Sequence, residues 1–239
     1  MSTSPVSLRE PLSGIRAVIF DLDGTLIDSM PLVMRAFAHA LEPFRPDLDM
    51  AGIFQRLGGP PERTFLELIG DEAKAAEAMR RLDSFGFENG ELVQPFTGMR
   101  ELLELLHAHG LQMAIWTGRD RQTTEVLLAA HDLAGFFTTV VCGDDMPTHK
   151  PNPAGLRCIL SRLDVRPHEA LYSGDADADV LGGAEAGVRT ILIHHGRMVE
   201  TSIVTRAWHV VETPPQAYSI IEGVLGTNVL KCPPSLPLV

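Results

Sequence analysis

The sequence predicts an α/β protein: a parallel sheet with helices on both faces and an α-helical insert after the first strand. Three observations support this class. Short, β-rich apolar runs alternate with stretches at helical spacing along most of the chain. The region between Ser29 and about Pro95 carries helical patterns alone. The length of 239 residues suits one core domain with a modest insertion.

Six apolar runs are typical of short buried strands. They are RAVIFD (16–21), LQMAIWT (111–117), FFTTVVC (136–142), ALYSGD (170–175), RTILIH (189–194) and AWHVVET (207–213). Most of them are followed by a segment long enough for a helix. Alternation of this kind predicts a parallel sheet covered by helices on both faces.

Helical spacing and end signals predict the helices between and after these strands. The predicted helices are 99–110, 121–133, 152–165, 178–187 and 215–226, with 30–44, 50–58, 61–70 and 71–90 in the insert. Gly110 is expected to end the first of them. Asn152 is expected to be the N-cap of the third, with Pro153 at its first helical position.

The composition narrows the classes of partner. A formal charge of −11 argues against nucleic acid or an anionic membrane as the main partner. An anionic substrate is compatible with this charge if a local cation or a bound metal reverses the field at one site. No apolar run approaches the roughly 20 residues that span a membrane, and the first residues lack the pattern of a secretory signal. A monomer or a homodimer is expected.

The cysteines indicate a reducing environment. Cys142, Cys158 and Cys232 are odd in number and lack the spacing of a metal site. Reduced thiols in a cytoplasm are the simplest explanation, so a cytoplasmic protein is expected.

Residues that could take part in catalysis or ligand binding follow four of the predicted strands. In open α/β sheets, ligands bind beyond the carboxyl ends of the strands. The residues are Asp21 and Asp23 after the first strand, Thr117 and Gly118 after the second, Lys150 downstream of the third, and Asp175, Asp177 and Asp179 after the fourth. This convergence predicts a functional site at that edge of the sheet.

The paired acids predict a divalent cation. Asp21 and Asp23 are two residues apart, so an extended backbone directs both side chains to the same side. Two carboxylates at one site repel each other unless a cation neutralises them. Mg²⁺ favours a few carboxylates together with water and a substrate phosphate. Asp175 or Asp179 would complete its set of oxygen ligands.

The remaining groups suit a phosphoryl group. Lys150 would balance the phosphoryl charge as a point charge. Thr117 and the backbone amide of Gly118 would donate hydrogen bonds to its oxygens.

Other interpretations of the acidic residues are weaker. An EF-hand calcium loop beginning at Asp175 would need Gly at position 6 and Glu at position 12. Val180 and Ala186 stand there instead. Asp177 is expected to be a helix N-terminal residue favoured by the helix dipole.

Four segments together resemble a known family. FDLDGTLIDS, WTGRD, HKPNP and SGDADAD resemble, in order, the four motifs of the haloacid dehalogenase-like (HAD) hydrolases. The inserted helices resemble the helical cap of the subgroup that contains phosphoglycolate phosphatases and β-phosphoglucomutases. The resemblance covers about residues 15 to 225. It implies a Rossmann-like core formed by 1–28 and 96–239, with a cap at 29–95.

The resemblance also implies a role for each motif residue. Asp21 would be the nucleophile that forms an aspartyl-phosphate, and Asp23 the general acid and then the general base. The implied Mg²⁺ ligands are Asp21, the backbone carbonyl of Asp23 and Asp175, with Asp179 as a further ligand or an orienting residue. Thr117, Gly118 and Lys150 match the phosphate-binding positions. The chain departs from many relatives at Gly118 and Arg119, where Asn and Lys are frequent, and at Ala176, where Ser is frequent.

The expected activity is Mg²⁺-dependent hydrolysis of a small phosphorylated metabolite, with phosphoglycolate as a family-level example. Asp23 argues against a dehalogenase, which lacks this acid. Alternatives are a phosphomutase of the β-phosphoglucomutase type, a phosphonate hydrolase or a non-catalytic relative. Lys74 in the cap is more consistent with a solvated ion pair than with the Schiff-base lysine of phosphonate hydrolases.

Three arginines are candidates for substrate specificity. Arg56 and Arg63 lie in or beside the cap loop QRLGGPPER, and Arg119 follows the second motif. A guanidinium at Arg56 or Arg63 would suit a second anionic group on the substrate, such as a carboxylate, whereas Arg119 would serve the phosphate or the leaving group. Surface roles for Arg56 and Arg63 remain an equal alternative.

Overall fold

The computed structural model describes residues 14–54 and 61–229. Arg56, a candidate specificity residue, lies outside the described residues. The chain divides into two compact units. One contains the residues up to Leu26 and from Phe96 onward, and the other is Ile27–Pro95.

The strands agree with the six predicted runs and add one short pair. In chain order they are β1 (Ala17–Phe20), β2 (Ile27–Asp28), β3 (Gln94–Pro95), β4 (Gln112–Trp116), β5 (Thr139–Val141), β6 (Ala170–Gly174), β7 (Arg189–Ile193) and β8 (His209–Val211). Six of these form one sheet in the order β5-β4-β1-β6-β7-β8, and all their pairings are parallel. The predicted α/β class with a Rossmann-like parallel sheet is confirmed.

The helices are also given in chain order. They are α1 (Met30–Leu41), α2 (Met50–Phe54), α3 (Pro61–Ile69), α4 (Glu72–Glu88), α5 (Met99–Ala108), α6 (Arg121–Ala130), α7 (Ala154–Leu163), α8 (Asp177–Ala186), α9 (Thr201–Val204) and α10 (Pro214–Val229). The expected N-cap of α7 is wrong by one residue, because Pro153 occupies the cap position. Asn152 instead accepts a hydrogen bond from the Ala154 N–H at 3.0 Å, which forms a turn just before the helix.

Helices cover both faces of the sheet. Ala17 and Ile19 of β1 pack in one apolar cluster with residues of α7, among them Ile159. Successive side chains of a strand alternate between faces, so Val18 and Phe20 point to the opposite face. They are at most 1% exposed there. The central strand is therefore buried on both sides, as its continuous apolar sequence predicts.

The strand register sets the position of the site. Phe20 of β1 lies between Ile115 of β4 and Ser173 of β6. The three strands therefore end at the same level, and the residues that follow them meet at one edge. The backbone N–H of Asp21 donates to the Ser173 carbonyl at 2.8 Å, which continues the pairing one residue beyond β1.

The second unit is a helical bundle with its own core. Residues of α1, α2, α3 and α4 form one apolar cluster, in which the rings of Phe37 and Phe65 lie 5.0 Å apart. Asp71 caps α4 by accepting a hydrogen bond from the Lys74 N–H. The antiparallel ladder of β2 and β3 holds the two ends of this unit side by side. Within the part of the chain that the structure describes, no helix is both long and apolar enough to cross a membrane.

Candidate active site

Three carboxylates converge at the carboxyl edge of β1 and β6. Asp21 follows β1, Asp175 follows β6, and Asp179 lies in the first turn of α8. One oxygen from each lies within 4.8 Å of the others. Like charges at this separation repel strongly, so the arrangement requires a counter-charge.

Lys150 supplies part of that counter-charge. Its Nζ lies 2.9 Å from Asp21 Oδ1 and 2.7 Å from Asp179 Oδ1. The lysine side chain is only 11% exposed. Its ammonium also lies over the rings of Trp116 at 5.0 Å and Tyr172 at 5.6 Å, within the range of cation–π attraction. Two carboxylates and two aromatic faces therefore hold Lys150 in place.

Asp179 is fixed from several sides. It is fully buried, and its Oδ1 accepts hydrogen bonds from Lys150 and from the Tyr172 hydroxyl at 2.6 Å. Its Oδ2 accepts one from the Ala176 N–H at 2.9 Å. A Cβ at Gly174 would lie 2.4 Å from the carboxylate carbon of Asp179, so only glycine fits at the end of β6. Both oxygens of Asp179 are thus engaged in orienting the site.

Asp175 approaches the loop after β1 at very short range. A Cβ on Gly24 would lie 2.2 Å from Asp175 Oδ2, and Gly24 has φ +72°. Both the close approach and the left-handed backbone require glycine at this position. The glycine of the DLDG segment therefore lets the first and fourth motifs come together.

Two residues beyond β7 support this region, and the sequence prediction assigned neither of them to the site. A ring nitrogen of His195 lies 2.7 Å from the Gly24 carbonyl oxygen. Arg197 donates to the backbone carbonyl of Asp175 at 3.0 Å and to Asp177 Oδ1 at 2.7 Å. The rule that functional residues follow strand ends could have indicated them, since β7 is the neighbour of β6.

The pKa shifts show an excess of negative charge. Burial raises the pKa of Asp21 well above its ordinary value; Lys150 opposes this shift, and Asp179 and Asp175 add to it. Burial, followed by the charge of Asp179, raises the pKa of Asp175 to about 6. Burial would lower the pKa of Lys150, but Asp179 and Asp21 outweigh it and the pKa rises.

The donor set fits a hard divalent cation. Three ionised carboxylates and one ammonium leave two negative charges uncompensated, and a divalent ion would balance them. All the available ligand atoms are oxygens, the type that Mg²⁺ prefers. The residues present are therefore compatible with the predicted metal.

The three predicted phosphate-binding residues line one small cavity. Thr117, Gly118 and Lys150 contribute to the wall of a cavity of about 20 Å³, and Trp116 and Gly143 also line it. Thr117 is buried, and its Oγ1 accepts a hydrogen bond from the Arg119 N–H at 3.1 Å. A Cβ at Gly143 would lie 2.2 Å from the Gly118 carbonyl oxygen, so glycine is needed beneath this loop.

Asp23 pairs with Arg119 and does not join the carboxylate cluster. Arg119 Nε lies 3.0 Å from Asp23 Oδ2, and Nη2 lies 2.6 Å from Oδ1. The ion pair with Arg119 was not predicted from the sequence, and the acid–base role of Asp23 stays a prediction. Its backbone carbonyl remains the predicted ligand.

Of the predicted specificity residues in the cap, the structure describes Arg63. Its side chain is 77% exposed, and its Nε lies 2.7 Å from Glu67 Oε1, one helical turn away. An exposed pair at this spacing is the ordinary surface arrangement of a helix. Nothing in this geometry assigns Arg63 to substrate binding.

Comparison with known proteins agrees with the motif resemblance. The model of the family described as "Haloacid dehalogenase-like hydrolase" matches residues 18–193. A Bacillus cereus protein named Pyrophosphatase PpaX is 35% identical over 181 residues, which are 75% of this chain and 83% of that protein.

Solved structures show the same fold. A Haemophilus somnus structure described as a predicted phosphoglycolate phosphatase has a TM-score of 0.74 at 20% identity, covering 88% of this chain and 99% of the other. A candidate beta-phosphoglucomutase from Thermotoga maritima has a TM-score of 0.74 at 23% identity, covering 87% and 99%. At these identities the likeness supports the fold alone.

Proposed function

The chain belongs to the haloacid dehalogenase-like hydrolase family, and from this premise we propose that it is a Mg²⁺-dependent phosphatase. In this proposal it hydrolyses a small phosphorylated metabolite, such as phosphoglycolate, through an aspartyl-phosphate intermediate. The observation that supports it most is the cluster of Asp21, Asp175, Asp179 and Lys150. The cluster joins a nucleophile, oxygen ligands and a cation at the carboxyl edge of the sheet.

The predicted metal ligands are Asp21, the backbone carbonyl of Asp23 and Asp175. Asp179 remains a predicted further ligand, although both of its oxygens already accept hydrogen bonds. When bound, Mg²⁺ would neutralise the charge of the carboxylates and of the phosphoryl oxygens.

In the first step, a carboxylate oxygen of Asp21 forms a bond to phosphorus and the P–O bond to the leaving group breaks. Lys150 fixes Asp21 Oδ1 at 2.9 Å, so we assign the attack to Oδ2. Asp23 protonates the leaving oxygen. Covalent catalysis of this kind divides one difficult displacement into two easier ones.

In the second step, water attacks the phosphorus of the aspartyl-phosphate. Asp23 accepts the proton of the water, and the bond between the Asp21 oxygen and phosphorus breaks. Asp23 therefore ends the turnover protonated. Thr117, Gly118 and Lys150, which line one small cavity, are the predicted partners of the phosphoryl oxygens in both steps.

Inorganic pyrophosphate is the second candidate substrate. The observation that favours it is the name Pyrophosphatase PpaX carried by the Bacillus cereus relative at 35% identity. The same residues would cleave an anhydride, with phosphate instead of an alkoxide as the leaving group. A mutase activity has only the fold likeness in its favour.

The proposal is tested by Mg²⁺-dependent hydrolysis of p-nitrophenyl phosphate. We expect Asp21→Asn to lower the rate by about 10³-fold or more, since the nucleophile is removed. Asp132→Asn is the matched control, because Asp132 is an exposed carboxylate in a left-handed turn, where Asn is well tolerated. Equal rates for wild type and Asp21→Asn, or no activity in either, would contradict the proposal. A panel containing phosphoglycolate, pyrophosphate and hexose phosphates then separates the substrates, and isomer formation without phosphate release would indicate the mutase.

A further inference from the structure

The pair between Arg119 and Asp23 is unusual for a residue assigned to acid–base chemistry. Arg119 donates from Nε to Asp23 Oδ2 at 3.0 Å and from Nη2 to Oδ1 at 2.6 Å. This is the two-pronged geometry in which a guanidinium binds a carboxylate most strongly. Both oxygens of Asp23 are thereby engaged by one side chain.

Hydrogen bonds fix the backbone of Arg119 on both sides. Its N–H donates to Thr117 Oγ1 at 3.1 Å, and its carbonyl accepts from the Gly143 N–H at 2.8 Å. The next residue, Asp120, caps α6 by accepting from the Thr123 N–H at 2.9 Å. The short loop between β4 and α6 therefore aims the guanidinium at Asp23.

The pair is more accessible to solvent than the charges around Lys150. The side chains of Arg119 and Asp23 are 22% and 33% exposed, whereas those of Lys150 and Asp21 are 11% and 10% exposed. Because solvent screens a partly exposed ion pair, its guanidinium can exchange one anionic partner for another even when the pairing geometry is favourable. The neighbouring residue Gly118 is exposed, so this side of the loop is open.

The proposed chemistry requires this exchange. To protonate a leaving oxygen, Asp23 must present one carboxyl oxygen to the substrate. Arg119 occupies both oxygens in the resting geometry. A substrate group that attracts the guanidinium away would free Asp23, and only an anionic group offers a comparable attraction.

We propose that Arg119 is a substrate-released latch on Asp23, and that the site selects phosphate esters or anhydrides whose leaving group carries its own anionic charge. A carboxylate or a phosphate on the leaving group takes the guanidinium, and Asp23, freed from the ion pair, takes up a proton from solvent. It donates that proton to the leaving oxygen as the P–O bond breaks. This inference rests on the proposed phosphatase function. It identifies the substrate class of that site and makes Arg119 a specificity-determining residue.

The test uses a matched pair of substrates, phosphoglycolate and its uncharged amide. They share the same reacting bond and differ in the charge of the leaving group. For Arg119→Gln, we expect kcat/KM for phosphoglycolate to fall by about 10- to 100-fold, the value of a charge-assisted, two-pronged contact. For the amide, we expect kcat to rise by up to about 5-fold, because Asp23 is no longer held by a partly exposed ion pair.

A fall in kcat/KM for phosphoglycolate together with a rise in kcat for the amide identifies the latch. A structural role for Arg119 would lower both rates together, and a role confined to binding the anion would raise KM for phosphoglycolate without changing kcat for the amide. Either of these results, or an unchanged ratio of the two substrates, would overturn the inference. Arg157→Gln is the control, since Arg157 is an exposed arginine of α7 that contacts the Glu185 carbonyl.

Two further measurements keep the test decisive. If Arg119→Gln fails to fold, Arg119→Lys serves instead, because it retains the charge but cannot form the two-pronged contact. We expect it to lose part of the preference for phosphoglycolate over the amide. If the lysine variant retains the full preference, the two-pronged contact between Arg119 and Asp23 is not the latch, and the inference is overturned. Wild-type hydrolysis of p-nitrophenyl phosphate separates the two levels of the proposal, because p-nitrophenolate is a good leaving group that departs without a proton from Asp23. Activity that is absent there, or is unaffected by Asp21→Asn, contradicts the phosphatase function itself.

Discussion

Single residues at the site carry charge that the fold could not tolerate in isolation. Lys150 is nearly buried between Asp21 and Asp179, and the three charges are stable only together. Removing one partner of a buried pair leaves an uncompensated charge, which costs more than the pair itself contributes. The stability of the core domain is therefore expected to depend on the same residues as its chemistry.

Lys150→Ala tests this dependence. We expect the free energy of unfolding of the metal-free protein to fall by about 3–5 kcal/mol, because two buried carboxylates lose their cation. Lys74→Ala is the matched control. Lys74 is exposed, and its loss should change stability by no more than about 0.5 kcal/mol. Urea denaturation measures both values, and similar losses for the two variants would contradict the argument.

The hydroxyl of Tyr172 offers a finer test at the same scale. It donates to the buried Asp179 carboxylate at 2.6 Å, whereas the Tyr218 hydroxyl donates to the neutral Thr25 carbonyl. Both tyrosines are at most 3% exposed. Tyr172→Phe keeps the ring beneath Lys150 and should cost about 1.5–3 kcal/mol, against about 0.5–1.5 for Tyr218→Phe. The reverse order in thermal or urea unfolding would show that the charge of Asp179 does not dominate.

The sequence predicted which residues converge at the site, but it did not predict which side chains contact each other there. Asp21, Asp175, Asp179 and Lys150 follow strand ends, and parallel strands bring their carboxyl ends to one edge. The contact of Asp23 with Arg119 depends on side-chain direction in a loop 96 residues away, for which no periodic pattern exists. The same holds for His195, whose contact with Gly24 spans 171 residues.

At the scale of elements, the turn after β1 decides how closely two motifs approach. Gly24 and Gly110 both have φ +72°, but a Cβ at Gly24 would strike Asp175 at 2.2 Å, while one at Gly110 would meet nothing within 4 Å. Alanine at either position carries the left-handed strain of about 1–2 kcal/mol. Only alanine at Gly24 must also displace Asp175.

Gly24→Ala should therefore destabilise the protein more than Gly110→Ala, and it alone should weaken Mg²⁺ binding. Urea denaturation gives the two free energies, and isothermal titration with Mg²⁺ gives the affinities. If both variants lose the same stability and retain the same affinity, the close contact between Gly24 and Asp175 is not a constraint in solution.

The elements that the sequence missed are the shortest ones. β2 and β3 have two residues each and α9 has four, so none spans enough residues to show a period. The start of α7 shifted by one residue because Pro153 fits both the N-cap and the first turn. The long apolar strands and helices were predictable because burial on a sheet or in a bundle imposes the period directly.

At the scale of the whole molecule, a negatively charged protein can bind the proposed anionic substrate because positive charge is concentrated at one edge of the sheet. The chain carries a net charge of −11, and the carboxylate cluster adds to the negative field where a phosphate would bind. Lys150, Arg119 and the predicted metal concentrate positive charge there. Binding of the predicted metal should therefore change the stability of the folded protein as a whole.

The metal-free protein should lose stability as pH rises through the titration of Asp175. Its pKa in the folded state is raised from the ordinary 3.8 to about 6, so the folded state binds more protons than the unfolded chain in this window. The stabilising contribution of protonated Asp175 is full below 3.8 and is lost as pH rises through about 6. Above that pH the ionised cluster repels itself and is free to bind a divalent cation.

Added Mg²⁺ should therefore raise the melting temperature more at pH 7.5 than at pH 5. A concentration of 100 times Kd stabilises the folded state by about 2.7 kcal/mol, which corresponds to about 5–10 °C for a chain of this size. Differential scanning calorimetry at constant ionic strength measures the shift. NaCl serves as the control for screening, and Asp175→Asn should lose most of the increment because a ligand is removed. An equal shift at both pH values, or an undiminished shift in Asp175→Asn, would place the bound ion outside the carboxylate cluster and contradict the assignment of Asp175 as a ligand.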